Sequence, residues 1–422
     1  MRAAVEVFLD PDIPVGELVY TNDRGREICQ FAYHDAWLSN EKRFQIDTEL
    51  PLLPGYFTPR RGPNVFFGCF ADCEPDGWGR KVITRNRAKL GLGNPNNLDY
   101  LLDVHDASRT GALRFSVDGG ETFATDPGPG KRVAPPLLEL EHLLRAANAV
   151  DDQTETAADL RLLLERGSPL GGLRPKCTVI DDDGQLAIGK FPASADGHDV
   201  VRGEVLALVL GRMAGLRTAD ARVVMAADRP VAVIRRFDRE GSRRLMFHSG
   251  RTFIGANNAD DTHAYTEFVD ELRTRGARPN DDIEELWRRI VYTVLISNFD
   301  DHLHNHGFLH LQLGQWRLSP AFDVNPAPDK QRTLKTWIDL DTGPDATIAA
   351  AMHALPRFGL GIARAREILG EVSTAVRQWD AIARRLGLSV RDRKQLAPAF
   401  EHEEREAALQ EISRKSAVRK AR

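Results

Sequence analysis

Alternating apolar and polar positions open the chain. Ala4 to Phe8, Glu17 to Tyr20 and Glu27 to Tyr33 each read as a strand, with Asn22-Asp23-Arg24-Gly25 as the turn before the third. Residues 51–63 are rich in Pro and Gly and predict irregular structure. Beyond Pro75-Asp76-Gly77 the period lengthens: Trp78, Val82, Ile83 and Leu90 fall at helical spacing. Residues 118–136 read as a loop. Residues 137–165 read as two helices interrupted near Val150-Asp151-Asp152. Cys177 to Ile180 and Gln185 to Phe191 flank the turn Asp181-Asp182-Asp183-Gly184, which predicts a β-hairpin.

A helix follows over Val201 to Ala214, then two strands within Ala221 to Phe237 around Asp228-Arg229-Pro230. The remainder reads as helical: Tyr265 to Arg275, Ile283 to Asn298, Ile348 to Met352, Ala363 to Leu386 and Gln395 to Ile412. The basic tail, 413–422, is expected to be a frayed end. The pattern implies an α+β chain with a mixed N-terminal part and an all-helical C-terminal lobe. Its expected segments are 1–125, 137–240, 241–412 and the tail.

Three separated pieces of sequence fit one kind of chemistry. Gly167 to Lys176 is Gly-rich, and glycines let backbone N–H groups approach a polyphosphate that side chains would block. The return strand of the hairpin then carries Lys190 in an apolar context, where an ammonium can reach phosphate oxygens. Glu204, in the next helix, is the candidate carboxylate to balance it. The second piece is Asn298-Phe299-Asp300-Asp301-His302-Leu303-His304-Asn305. Asp300 and Asn305 are five positions apart, the Asp-to-Asn spacing of a kinase catalytic loop, in which the Asp orients a hydroxyl and the Asn holds magnesium. The third is Phe322-Asp323, eighteen residues beyond Asn305, where an Asp would supply a second oxygen ligand to Mg²⁺.

A competing reading takes His302, His304 and His306 as alternating residues of an extended segment. Such a segment would place them on one face beside Asp300 and Asp301, as zinc or iron ligands. It leaves Lys190 and Glu204 without a role. In its milder form, one or two of these histidines simply hold Asp300 in place.

Composition narrows the function classes. At 42% hydrophobic and 28% charged, the 422 residues can bury a sizeable core. A net charge of −4 gives no overall basic field for non-specific nucleic-acid binding. No apolar run reaches the length of a membrane span, and the first ten residues turn acidic too early for a signal peptide. Cys29, Cys69, Cys73 and Cys177 read as free thiols of a reducing cytoplasm.

At these residues the chain resembles the HipA family, kinase toxins of bacterial toxin–antitoxin pairs. Phe70 to Arg80 and Asp106 to Phe115 look like two of its N-terminal signatures. The resemblance implies a two-lobed fold of the phosphoinositide-kinase-like HipA architecture. It also implies an ATP- and Mg²⁺-dependent serine/threonine protein kinase, with a small DNA-binding antitoxin as partner and an aminoacyl-tRNA synthetase as a protein substrate. Residue by residue, Ser168 falls at the autophosphorylated serine; apart from the resemblance, Arg174 and Lys176 are candidates to pair with a phosphate there or with ATP. Gly171 and Gly172 lie in the phosphate loop, and Lys190 at the ATP-contacting lysine. Arg236, Phe237 and Asp238 fall where adenine meets the inter-lobe connection. Asp300 is the catalytic aspartate, and Asn305 and Asp323 are the metal ligands. Leu245 to Gly250 departs from the best-known members, which marks a subgroup. The alternatives are a small-molecule kinase, or a non-catalytic partner of a DNA-binding antitoxin in transcriptional regulation.

Overall fold

A computed structural model describes residues 1–60, 64–75, 77–123, 134–165, 174–256, 261–328 and 331–420. The chain forms two compact units. One comprises Met1–Ala195, Val224–Ala259 and Leu309–Gly314, the other Asp196–Val223, Asp260–Phe308 and Gln315–Arg422.

Two four-stranded sheets dominate the first unit. In the N-terminal sheet, β1 (Arg2–Leu9), β2 (Ile13–Asp23), β3 (Arg26–Tyr33) and β4 (Leu113–Ser116) lie in the order β3-β2-β1-β4, all antiparallel. Val5 stands opposite Leu18, and Leu18 opposite Phe31. All three are fully buried, so the period of two does put one stripe into the core. Gly16 on β2 has a steric reason: a Cβ there would sit 2.2 Å from the carbonyl oxygen of Ala32.

The helix Gly77–Lys89 buries Trp78, Val82 and Ile83. Leu90 does not join them. The helix stops at Lys89, Gly91 turns the chain with φ +71°, and Leu90 is left exposed.

The second sheet contains β5 (Lys176–Ile180), β6 (Leu186–Lys190), β7 (Ala221–Ala226) and β8 (Arg229–Arg235), in the order β5-β6-β8-β7. β7 enters this unit at Val224. The register separates two faces. Cys177, Val179, Ala187, Val231 and Val233 pack in one core with Leu140, Leu143, Leu144, Leu160 and Leu163. Those leucines come from the two expected helices, found at Leu140–Asp151 and Ala157–Glu165. Each fully buried leucine or valine stabilises by roughly 1.5–3 kcal/mol. The opposite face carries Lys176, Thr178, Ile188, Lys190, Ala232 and Ile234.

The second unit is mainly helical. Its centre is Pro279–Leu295, whose Ile283, Leu286, Trp287, Ile290, Val291 and Val294 are buried. It begins four residues before the expected Ile283, because Pro at the first turn followed by Asp281 and Asp282 makes a good helix start. It ends before the expected Asn298, because Ser297 adopts φ +56°.

Two other expected helices are broken. Residues 363–386 divide into Ile362–Val376 and Trp379–Arg385, and residues 395–412 into Val390–Phe400 and Glu403–Lys420. The last of these carries helical backbone into the tail expected to fray. Two strands, Gly307–Gln312 and Gln315–Leu318, stand where only helix was expected. The helix Tyr265–Arg275 has the expected bounds. No helix among the described residues is long and apolar enough to cross a membrane.

Candidate active site

The loop after Pro279–Leu295 is built from its polar neighbours upward. Ser297, in its left-handed conformation, donates its hydroxyl to the carbonyl of Ala399 (3.0 Å) and accepts from Arg332 (3.2 Å). The backbone N–H of Asn298 returns to the carbonyl of Thr293 at 3.0 Å. The Arg332 guanidinium lies 5.1 Å from the centre of the Phe299 ring, a cation–π contact that fixes the residue before Asp300. From this base the chain sends consecutive aspartates in opposite senses: Asp300 is exposed and Asp301 is buried.

Asp300 and Asn305 are joined through the main chain. The carbonyl of Asp300 accepts from the backbone N–H of His302 (2.9 Å) and from the side-chain amide nitrogen of Asn305 (3.0 Å). Because the Asn305 nitrogen is engaged there, its amide oxygen is the end that a cation would meet.

Asp301 points into the unit. Its Oδ2 accepts from the Tyr265 hydroxyl and, at 3.4 Å, from the hydroxyl of Thr293, while its Oδ1 lies 3.3 Å from His306 Nε2. All four residues are buried. Burial lowers the pKa of His306 despite the carboxylate beside it, which favours a neutral ring. Burial, and then Asp301, push the Tyr265 phenol well above its ordinary value, so it stays a donor.

This geometry corrects the histidine reading. Leu303–Asn305 is a turn of 3₁₀-helix rather than an extended segment. His302 and His304 are therefore exposed and His306 is buried, so the three do not share a face. Among the described residues no group of three or more His, Cys, Asp or Glu side chains is placed to hold a metal ion. His306 lies against Asp301.

The Asp323 segment is tied to this loop. Asp323 has φ +53°, a conformation Asp tolerates better than most residues and one that costs some backbone strain. Its Oδ1 accepts from the Asn325 side chain at 3.2 Å. The Asn325 N–H donates to Asn298 Oδ1 at 3.1 Å, and the Ala327 N–H to the carbonyl of Ser297, also at 3.1 Å. The buried Asn298 thus bolts the two segments together. An amide oxygen and a carboxylate held on such a frame suit Mg²⁺, a hard cation that takes oxygen ligands.

The remaining candidates belong to other elements. Lys190 ends β6 directly opposite Lys176 on β5, so both lie on the sheet face turned away from the leucine core. Thr178 shares that face, fully buried, and its hydroxyl has no hydrogen-bond partner among the described residues. Two ammonium groups and an unsatisfied hydroxyl are a donor set that suits phosphate oxygens. Glu204 is buried on the helix Val200–Met213 of the second unit. Ser168, Gly171 and Gly172 lie outside the described residues.

Arg236 and Asp238 form a buried ion cluster. Arg236 binds both carboxylate oxygens of Asp238 (2.8 and 2.5 Å) and the carbonyls of Ser108 (2.6 Å) and Arg109 (2.9 Å). Arg239 adds 2.8 Å to the same carboxylate, 2.7 Å to the carbonyl of Arg109 and 3.1 Å to that of Ala107. The N–H of Gly111 donates to Asp238 at 2.9 Å. Burial alone would raise the Asp238 pKa; Arg236 and Arg239 outweigh it and hold the carboxyl well below its usual range. Phe237, between them, has its ring 6.4 Å from that of Phe247.

Sequence reasoning gave no separate role to Tyr265, Asn298 and Arg239, and weighed Asp301 only beside a possible metal site. The doubled aspartate was the visible signal for Asp301. The other three depend on partners tens or hundreds of residues away.

Comparison with known proteins bears on this arrangement. Residues 5–116 match the family model described as the HipA N-terminal domain, and residues 168–379 that of the HipA-like C-terminal domain. A Sinorhizobium fredii protein named "Putative kinase Y4mE" is 25% identical over 330 residues, 72% of this chain and 73% of that protein. The fold is similar to that of HipA from Shewanella oneidensis MR-1, solved in a complex with HipB and operator DNA. That match has a TM-score of 0.67 at 15% identity and covers 97% of each chain.

Proposed function

Since the chain belongs to the HipA family, we propose that it is an ATP-dependent serine/threonine protein kinase and the toxin of a toxin–antitoxin pair. The observation that carries this reading is the bolted pair of loops. Asp300 is exposed, Asn305 is locked to it, and Asn298 ties both to the Asp323 segment. That frame ties a solvent-facing carboxylate to the segments that carry Asn305 and Asp323.

In this reading Asn305 and Asp323 hold Mg²⁺. Lys190, with Gly171, Gly172 and the balancing Glu204, holds the nucleotide phosphates, and Arg236, Phe237 and Asp238 belong to the adenine end. Bound Mg-ATP supplies the transferable phosphoryl group and the metal charge that stabilises its transfer. Asp300 orients a serine or threonine hydroxyl of the target and takes its proton. The buried cluster narrows the roles of Arg236 and Asp238: their charged groups engage each other and main-chain carbonyls, so they would set the shape of the adenine end rather than bind through their charges.

The family resemblance suggests the protein substrate, an aminoacyl-tRNA synthetase, and autophosphorylation at Ser168. The HipB–DNA complex of the Shewanella relative supports a small DNA-binding antitoxin as partner. The test is intact-mass and peptide mass spectrometry after incubation with Mg-ATP, beside Asp300→Ala. Phosphate gained by the wild type alone, and mapped to Ser168, supports phosphoryl transfer and both residue roles. Equal phosphorylation of the two proteins would remove Asp300 from the mechanism.

A further inference from the structure

The Asp300 loop rests on a buried carboxyl group whose partners are a phenol, an alcohol and an imidazole. Burying a carboxyl group costs free energy that its hydrogen bonds must offset. Asn would keep an acceptor for the Tyr265 and Thr293 hydroxyls but lose the second oxygen, which faces His306. A costly group that touches several separate elements, next in sequence to an exposed carboxylate, points to a role in placing that neighbour.

The directions of the contacts support this. Tyr265 opens the helix Tyr265–Arg275, Thr293 lies in the last turn of Pro279–Leu295, and His306 immediately follows Asn305. Asp301 therefore gathers two helices and the far end of its own loop onto one side chain. The Tyr265 and His306 rings also pack edge-on at 5.2 Å, and Phe268 lies 5.1 Å from His306, so the donors themselves have little freedom. One planar peptide separates the Asp301 Cα from the Asp300 Cα, and a rotation at Asp301 would swing the Asp300 carboxylate. Displacing a reacting group by about 1 Å can cost on the order of 100-fold in rate.

We propose that Asp301, clamped by Tyr265, Thr293 and His306, is the positioning residue for Asp300, setting the direction of its carboxylate without contacting ATP or the target. The inference rests on the kinase reading of Asp300.

The experiment measures phosphoryl transfer from Mg-ATP for the full-length wild type, Tyr265→Phe, Asp301→Asn and Asp301→Ala, together with nucleotide affinity and melting temperature. Tyr265→Phe keeps the packed ring and removes only the donor, so it serves if Asp301→Ala does not fold. The expected result is a saturating rate about 10- to 100-fold lower for Tyr265→Phe and Asp301→Ala, with KM for ATP within about twofold of wild type. Asp301→Asn, which keeps an acceptor for Tyr265, should recover part of the Asp301→Ala loss. Variants that melt earlier yet transfer at the wild-type rate below their transition would show a purely structural anchor and overturn the inference. A wild type that binds Mg-ATP but transfers nothing, to itself or to any protein, would overturn the kinase reading and this inference with it.

Discussion

Two buried aspartates, Asp238 and Asp301, are held in opposite ways. Asp238 sits between two guanidiniums and beside backbone groups of residues 107–111, and its charge is compensated on the spot. Asp301 is held by donors that are neutral or disfavour a charge. The first arrangement makes a rigid joint between segments far apart in sequence. The second gathers two helices and the end of a loop beside an exposed carboxylate. Guanidiniums hold the one aspartate and uncharged donors the other.

The largest expected effect breaks the comparison at its functional end. Asp300→Ala should lower the rate of phosphoryl transfer roughly 10²–10⁴-fold. Its melting temperature should stay near that of wild type, because the side chain is exposed. A large drop in both would mean that Asp300 is part of the frame.

At the architectural end, Asp238→Ala leaves Arg236 and Arg239 buried without their carboxylate. Breaking a buried pair in this way costs about 3–5 kcal/mol. Denaturant unfolding should show the loss, while an unchanged midpoint would deny the cluster its structural weight.

Acidity sharpens the contrast. Burial pushes Asp47 and Asp72 up to about 6 and Glu74 to about 7. A carboxyl raised in the folded state stabilises fully below its unfolded pKa, and that stability is lost as pH rises to the folded value. These three should therefore cost stability between about pH 4 and 7, on the order of 3 kcal/mol each at most. Asp238 has the opposite sign: its contribution is present above the ordinary aspartate pKa and lost on acidification below it. Unfolding curves across pH should flatten between pH 4 and 7 in Asp47→Asn, and below pH 4 in Asp238→Asn. Unaltered profiles would contradict the assignment.

The smallest effect concerns the bolt between the two loops. Asn298→Ala leaves the N–H of Asn325 without its acceptor, a loss of about 1–3 kcal/mol. The Mg²⁺ concentration needed for half-maximal transfer should rise, with nucleotide affinity in the absence of metal unchanged. A shift in both would place Asn298 in the nucleotide site.

Much of this molecule was legible in one dimension. Alternation located three strands of the first sheet, because burying one face of a strand requires a period of two, and turn residues marked the strands of the second; β4, Leu113–Ser116, is not among the expected strands. Helical spacing found Tyr265–Arg275 and the two helices between residues 137 and 165. The five-residue step from Asp300 to Asn305 singled out a pair that a short turn does join through the Asp300 carbonyl. Local pattern failed wherever a single backbone angle or a distant partner decided the outcome. Ser297 in the left-handed region ended a helix whose apolar period continued, and the 3₁₀ turn at Leu303–Asn305 scattered histidines that looked aligned.

The sequence by itself determined which residues could carry the chemistry and which faces of the strands would be buried, since both follow from side-chain type and short-range spacing. Only the tertiary structure decided which aspartate of the pair faces solvent and what holds the other. Tyr265 lies 36 residues from Asp301 and Ser108 lies 128 from Arg236. Contacts over such separations leave no periodic trace in the chain; they exist only once the elements have packed.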